Sequence, residues 1–335
     1  MSIAFEVLGG LQKDNALWVR VDGGQKLQRF LFDCGQHCLD RLSFRDILDL
    51  EALFFSHLHM DHISGFDGYF RCTFQRDQRP NVLYGPPECA QVFHHRFQGF
   101  ALNHYAAYNS LWQVKEIHPE HLVTFQWDIQ EAFRERHTLE VTPRQGLTIY
   151  ENNVLRIDAL TMNHDIPSMA YIVREQPKIN IDMSTARKMG LRPGPWLQWL
   201  KKPAEDGPDT LKIGETEWNM TELRSTLLVE NKGDSIAYLT DFLLDEDSKE
   251  RLVEALKGCK TVVCESQYAH DDLELAIKNH HMTSTQVAEL ARDAGIEELV
   301  VMHLSERYRN DECKQILDEI RAIFPNARFP EHWEL

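Results

Sequence analysis

The sequence predicts an α/β fold of two mixed sheets flanked by helices. Three observations predict it. The first 60 residues hold four strand-like runs, a second strand-rich region covers roughly 138–174, and the chain from 235 onward alternates strand with helix. Neither a linker nor a repeat of solenoid period separates these regions, so residues 1–335 read as one domain with an arm-like insertion at about 175–225.

The elements follow in order. "IAFEVLG" is a first strand that stops at Gly9 and Gly10, and "ALWVRVD", "RFLFDCG" and "ALFFS" are short β-rich runs of the same kind. A helix-like stretch, 39–49, precedes the last of them. "NVLY", 81–84, reads as a strand, and 87–101 as a helix with Pro86 and Pro87 near its start. "TLEVT", "LTIY", "VLRIDAL" and "MAYIV" make the second strand-rich region. Residues 175–225 are rich in Pro, Gly, Lys and Trp with weak periodicity, which sets them apart as the insertion. Strand "SIAYLTD", a helix at 245–257, strand "TVVCES", a helix at 284–294, strand "ELVVMHL" and a helix at 310–323 complete the chain.

Composition narrows the class. Hydrophobic residues are 43% and charged residues 26%, the balance of a soluble globular protein. No apolar run is long enough to span a bilayer, and "MSIAFEVLGG" lacks the features of a secretory signal, so the expectation is no membrane and a cytoplasmic setting. Seven scattered cysteines do not form a disulfide framework, which fits a reducing compartment. The net charge is -16, from 52 acidic against 36 basic residues. That disfavours phosphate binding through Lys and Arg, although bound divalent cations restore positive charge locally.

The chemistry concentrates in "FFSHLHMDHISGFDG", where His57, His59, Asp61 and His62 fall within six residues just after an apolar run. Imidazole and carboxylate are the donors that zinc and related divalent ions take. A regular strand would point His62 away from His57 and His59, and a regular helix would splay His57 from His59, so the metal reading needs a turn. The bland alternative is a solvated polar loop. Three further residues sit directly after strand-like runs: His164 after "IDALTMN", Asp241 after "SIAYLT" and His303 after "ELVVM". Singly, each has an ordinary reading; Asp241 could N-cap a helix at 243–257. Together they make seven ligands, enough for two metals sharing one carboxylate with positions left open for water.

With these residues in view, the sequence resembles the metallo-β-lactamase superfamily, and within it the tRNase Z (ribonuclease Z) group. The H-x-H-x-D-H motif carries the superfamily resemblance. "NHDIPSMAYIV" (163–173), "MGLRPGPWLQWLK" (189–201) and "HMTSTQVAELARDAGIEELVVMHLSERY" (281–308) carry the narrower one. The resemblance implies an αββα sandwich and a metal-dependent phosphodiesterase or endoribonuclease acting on precursor tRNA 3′ ends. It implies that His57, His59 and His164 hold one divalent ion, that Asp61, His62 and His303 hold a second, and that Asp241 bridges them. Zinc is the first expectation, with manganese and iron as alternatives that the same donors accept. Asp61 would orient or deprotonate the attacking water, His281 would serve the leaving oxygen, and Glu265 would orient His281. A homodimer is also implied.

The sequence departs from that group in its loops. The first loop, "LGGLQKDNALWV", is short, with only Lys13 and Asn15 matching a basic-Asn element expected to meet the RNA 3′ end. Phe242 stands where a hydroxyl residue is expected, Cys264 where a histidine is, and "GFDGYF" replaces a Gly-Leu-Pro-Gly segment. In the insertion, Arg187, Lys188, Arg192, Lys201 and Lys202 are offset by Glu205, Asp206 and Asp209. The alternatives are therefore a hydrolase of small phosphodiesters with the same metal site and, less favoured by the seven-ligand set, a mononuclear iron oxidoreductase.

Overall fold

In a computed structural model that describes residues 3–333, strand side chains alternate between two apolar environments, and this alternation builds the sandwich. Strands β1 (Ile3–Gly9), β2 (Asn15–Asp22), β3 (Leu27–Phe32), β4 (Ala52–Phe54), β5 (Asn81–Gly85), β6 (Leu111–Ile117), β7 (His121–Asp128) and β8 (His137–Pro143) lie in chain order as one eight-stranded sheet. β3 to β6 are mutually parallel and the flanking pairs antiparallel. Phe30 and Phe32 of β3 enter one apolar cluster while Leu31 between them enters another. Both faces are covered, so these strands read as continuous apolar runs.

β9 (Thr148–Glu151), β10 (Leu155–His164) and β11 (Ile166–Glu175) open the second sheet. Next in the chain come β12 (Lys178–Ile181), β13 (Thr210–Ile213), β14 (Thr216–Asn219) and β15 (Leu228–Asn231), which pair as the ribbons β12–β15 and β13–β14. β16 (Ser235–Leu239), β17 (Thr261–Glu265), β18 (Glu298–Met302) and β19 (Ala327–Arg328) complete the second sheet, parallel to one another, in the order β19-β18-β17-β16-β11-β10-β9.

The inner faces of the two sheets meet over aromatic rings. Phe32 and Phe54 stack at 4.9 Å, and Tyr171 of the second sheet packs edge-on to Phe54 at 5.5 Å. The Tyr171 hydroxyl donates to the Phe55 carbonyl at 2.6 Å, so a buried polar group on one sheet is satisfied by the other. Outside the first sheet, helices Phe66–Thr73 and Cys89–Phe97 supply Phe66, Phe70, Phe93 and Phe97 to the second cluster. Outside the second sheet, helices Glu246–Leu256, Ser284–Ala294 and Asn310–Ile323 supply Leu252, Val287 and Ile316. This is the expected layering of two mixed sheets between helices.

The described residues divide into two compact units, one running to Arg174 and resuming at Asp234, the other Glu175–Gly233. The second unit contains the segment expected as an insertion. It has its own small apolar centre of Ala186, Leu191, Trp196, Leu200, Met220, Leu223 and Leu227. Within it, the Lys202 ammonium lies 4.2 Å over the Trp199 ring.

Local expectations differ from the structure at several points. The stretch 39–49 is two pieces, a 3-10 turn Cys38–Arg41 and a helix Phe44–Leu48 started by the Ser43 cap. The helix read at 87–101 is shorter, Cys89–Phe97. The antiparallel hairpin β6–β7 was not read as strands, because "LWQVKEI" and "HLVTFQWD" mix polar residues into the apolar pattern. Helix Leu273–Asn279 was also not anticipated. No helix among the described residues is long and apolar enough to cross a membrane.

Phe32 is fully buried at the centre of the inter-sheet cluster. Replacing it with Ala should cost about 3–5 kcal/mol, read as a lower urea midpoint of unfolding; an unchanged midpoint would contradict this packing.

Candidate metal centre

The site forms where strands end. β4 leads through Phe55 and Ser56 to buried His57; His59 then stands at the N-terminal boundary, without a side-chain cap, of a single helical turn, Met60–Ile63, that carries Asp61 and His62. The expected turn is thus a strand end feeding one turn of helix. Its approach is close: a Cβ on Gly35 would lie 2.2 Å from the Asp61 carbonyl, and one on Gly65 would lie 2.3 Å from the Gly35 carbonyl. Only glycine permits that contact.

The other groups arrive from strand ends on the second sheet. His164 closes β10, Asp241 lies two residues past β16, His303 follows β18 and Glu265 ends β17. Asp241 and His303 both have left-handed backbone, with φ of 53° and 51°. Asp and His tolerate this region better than most residues, and the sharp turn re-aims the side chain off the sheet. Asp241 does not cap a helix: Asp245 and Ser248 cap Glu246–Leu256, which frees Asp241 for the site.

The donors converge in two sets. Ligand atoms of His57, His59 and His164 all lie within 4.8 Å of one another, and so do those of Asp61, His62, Asp241 and His303. Asp241 joins the sets. Its Oδ2 is 3.3 Å from His62 Nε2 and 3.8 Å from both His57 Nε2 and His164 Nε2, while its Oδ1 is 3.5 Å from His303 Nδ1. Asp61 Oδ2 lies 3.3 Å from both His62 Nε2 and His303 Nε2. Donors arranged tetrahedrally at about 2.1 Å from an ion stand roughly 3.4 Å apart, the spacing found here. His62 Nε2 and His303 Nδ1 are buried with no well-formed hydrogen bond, facing Asp241 carboxylate oxygens at 3.3 and 3.5 Å, so an ion displacing their protons would find both nitrogens aimed at it. The donor set therefore fits divalent metal ions.

Further groups fix which imidazole nitrogen faces inward. The Asp33 carboxylate accepts four hydrogen bonds: from Ser56 N at 2.7 Å, Ser56 Oγ at 2.7 Å, His62 Nδ1 at 2.7 Å and the Tyr238 hydroxyl at 2.9 Å. His62 thereby keeps its proton on Nδ1 and presents Nε2. Ser56 Oγ, already donating to Asp33, accepts from His57 Nδ1 at 3.1 Å, so His57 also presents Nε2. His164 Nδ1 donates to the His280 carbonyl at 2.9 Å, with the same result. The Thr240 hydroxyl donates to Asp241 Oδ1, providing from the preceding residue the hydroxyl that Phe242 lacks. Sequence reasoning missed Asp33 and Ser56, although Asp33 follows an apolar strand in "LFDCG" just as Asp241 follows "SIAYLT".

Glu265 is fully buried and its Oε2 accepts from His281 Nδ1 at 2.7 Å. His281 is in ring contact with His164 at 4.9 Å and His303 at 6.0 Å. The structure thus brings together all nine residues singled out for the site. His118 and His121, to which no role was given, stack on each other at 4.6 Å on the β6–β7 hairpin. Asn15, the residue matching the expected RNA-contacting element, is instead buried.

Electrostatics separates the histidines. Burial and the neighbouring His62 push His57 down to about 2, leaving it neutral and ready to donate a lone pair. Against the penalty of burial, Asp241 and Asp33 hold His62 well above the usual imidazole range, and Asp241 and Asp61 raise His303 to about 10. Asp61 also resists the penalty of burial, held below the usual carboxylate range by His303 and His62.

Comparison with known proteins places the chain among related sequences and folds. A family profile described as "Anti-Pycsar protein Apyc1" matches residues 9–188. A curated ribonuclease Z of Deinococcus radiodurans is 44% identical over 327 residues, covering 98% of this chain and 97% of its own. Among solved structures, the metallo-β-lactamase fold protein YhfI of Bacillus subtilis superposes with a TM-score of 0.56 at 13% identity, covering 98% of this chain and 95% of its own. The short form of human tRNase Z gives 0.52 at 15%, covering 92% and 94%. The two structures share the metallo-β-lactamase fold with this chain.

Metal binding requires neutral imidazole, and His303 with a pKa raised to about 10 is protonated at neutral pH in the metal-free protein. Zinc titrated into metal-free protein at pH 7 should therefore release about one proton or more per chain, and affinity should rise with pH. Calorimetry in two buffers of different protonation enthalpy reads this directly; equal apparent enthalpies would contradict it.

Proposed function

Because the chain belongs to the ribonuclease Z family by its 44% identical relative, and over residues 9–188 to the family of the anti-Pycsar protein Apyc1, we propose that its metal-dependent hydrolysis cleaves an RNA phosphodiester, at the 3′ end of precursor tRNA. The observation that carries this reading is Asp241 Oδ2, within 3.8 Å of imidazole nitrogens from both donor sets, which is what a carboxylate shared by two ions requires. His57, His59 and His164 would hold one ion, Asp61, His62 and His303 the other, and Asp241 both. Zinc is the first choice for His and Asp donors, with manganese and iron accepting the same set. Bound divalent ions supply Lewis acidity toward the phosphodiester and lower the pKa of the attacking water.

The chain's own residues complete the chemistry. Asp61, half-exposed at the rim and kept ionised by a pKa below the usual carboxylate range, orients the incoming water by accepting its hydrogen bond. Despite the penalty of burial, Glu265 raises the pKa of His281 through the 2.7 Å bond to Nδ1. The raised pKa keeps His281 protonated toward neutral pH, with Nε2 as the proton donor for the leaving oxygen. Burial of Asp241, His57 and Glu265 keeps the field strong by excluding water.

A second reading, a small phosphodiester as substrate, is favoured by the net charge of -16 and by the burial of Asn15. The two readings separate in one assay panel. Precursor tRNA, bis-p-nitrophenyl phosphate and a cyclic nucleotide are offered to protein whose metal content has been measured by elemental analysis. The RNA reading predicts cleavage at the tRNA 3′ end with affinity falling steeply as salt rises. Intact RNA alongside turnover of the small diesters would favour the second reading.

Two variants test the roles. His59→Ala should abolish hydrolysis, as should a chelator, and only the chelator effect should reverse with added zinc. Glu265→Gln removes the charge that raises His281, so the alkaline limb of the kcat profile should move to lower pH and kcat should fall about 10–100-fold. An unshifted alkaline limb would remove Glu265 from the mechanism.

A further inference from the structure

The short first loop has a task that its resemblance to an RNA-contacting element conceals. Asn15 at the start of β2 is 1% exposed. Its Oδ1 accepts from the backbone N–H of His303 at 3.0 Å. Its Nδ2 faces the carbonyls of Gly10 at 3.0 Å, Asp14 at 3.2 Å and Leu8 at 3.5 Å. One side chain thus folds the loop on itself and ties it to a residue 288 positions away. The fold of the loop is tight: at Gly9, with φ of 90°, a Cβ would lie 2.0 Å from the Asp14 carbonyl.

The same loop makes four more ties. Gln12 Nε2 donates to the Ser305 carbonyl at 3.2 Å and to that of Tyr308, just beyond His303. Asp14 Oδ2 accepts from Gln36 N at 2.7 Å, and the Asp14 carbonyl accepts from Cys38 Sγ at 3.4 Å. Gly35, next to Gln36, is the residue on which a Cβ would strike both the Asp61 carbonyl and Asp14. The loop therefore braces the turns that present His303 and Asp61. It makes no comparable tie to His57, His59 or His164 among the described residues. His303 needs such a brace, because left-handed backbone in a residue with a side chain persists only where its surroundings over-determine it.

From these contacts we propose that Asn15 is a positioning residue for the metal ion assigned to Asp61, His62 and His303, and that it has no direct role in binding substrate. The inference rests on the two-ion reading of the site. Groups that orient metal ligands typically change affinity or activity about 10–100-fold when removed. Gln12, half-buried, contributes to the same brace.

The test is Asn15→Ala, with zinc per chain measured after dialysis and steady-state kinetics on bis-p-nitrophenyl phosphate and a precursor tRNA. Zinc should fall from about two to about one per chain, kcat should fall about 10–100-fold and KM for both substrates should stay within about twofold. Two retained zinc ions with a raised KM for the RNA would overturn the proposal and return Asn15 to the substrate. Wild-type protein that binds only one ion would overturn the two-ion reading itself, and with it this inference. Should Asn15→Ala fail to fold, Gln12→Ala takes its place. It should weaken binding of the second zinc about two- to fivefold with KM unchanged, and unchanged zinc affinity would overturn the proposal.

Discussion

The site depends on one buried carboxylate. Asp33 has no access to water, and burying such a group is costly unless every lone pair finds a donor. Its donors come from both layers of the sandwich: Ser56 and His62 from the first sheet and its following turn, Tyr238 from the second. Satisfying Asp33 therefore requires the sheets to be packed and the histidine turn to be in place at once. The same bonds choose the tautomer of His62 and, through Ser56, that of His57. Fold and donor geometry are one hydrogen-bond network, so a change at Asp33 reaches both.

The second constraint is that side chains must leave the sheet abruptly. Asp33, Asp165, Asp241 and His303 each have φ between 51° and 63° and each stands at or just past the end of a strand. A residue continuing the strand would face the packed interior or the helices. A single left-handed residue turns it instead toward the gap where the strands end, the crevice that α/β sheets commonly use for ligands. The strain is small at each position and is held by specific bonds, such as the Asn15 side chain on the His303 N–H.

Charge explains why so many histidines coexist there. Asp241 is buried with three imidazole nitrogens within 3.8 Å of one oxygen. Without cations the carboxylates draw protons onto His62 and His303, while His57, shielded and beside His62, stays neutral. Divalent ions held by these donors would replace those protons with larger, fixed charge. That replacement would also reconcile a chain of net charge -16 with a phosphodiester substrate, because it would concentrate positive charge at the donor cluster.

The sequence by itself determined the layering and which candidate donors stand at strand ends. His57, His59, Asp61 and His62 are adjacent, and His164, Asp241 and His303 each end an apolar run, so residue type and strand boundary were both legible. The runs themselves were legible because strands covered on both faces are apolar throughout, as Phe30, Leu31 and Phe32 show. Helices 284–294 and 310–323 were legible from their alternation with apolar strand runs. Only the tertiary structure decided what no local pattern encodes: that Asp33 aims His62, that Asp241 is free of the helix Asp245 caps, and that Asn15 turns inward to His303. Those outcomes depend on contacts between residues up to 288 positions apart, and a hydrogen bond across that separation leaves no period in the chain to read.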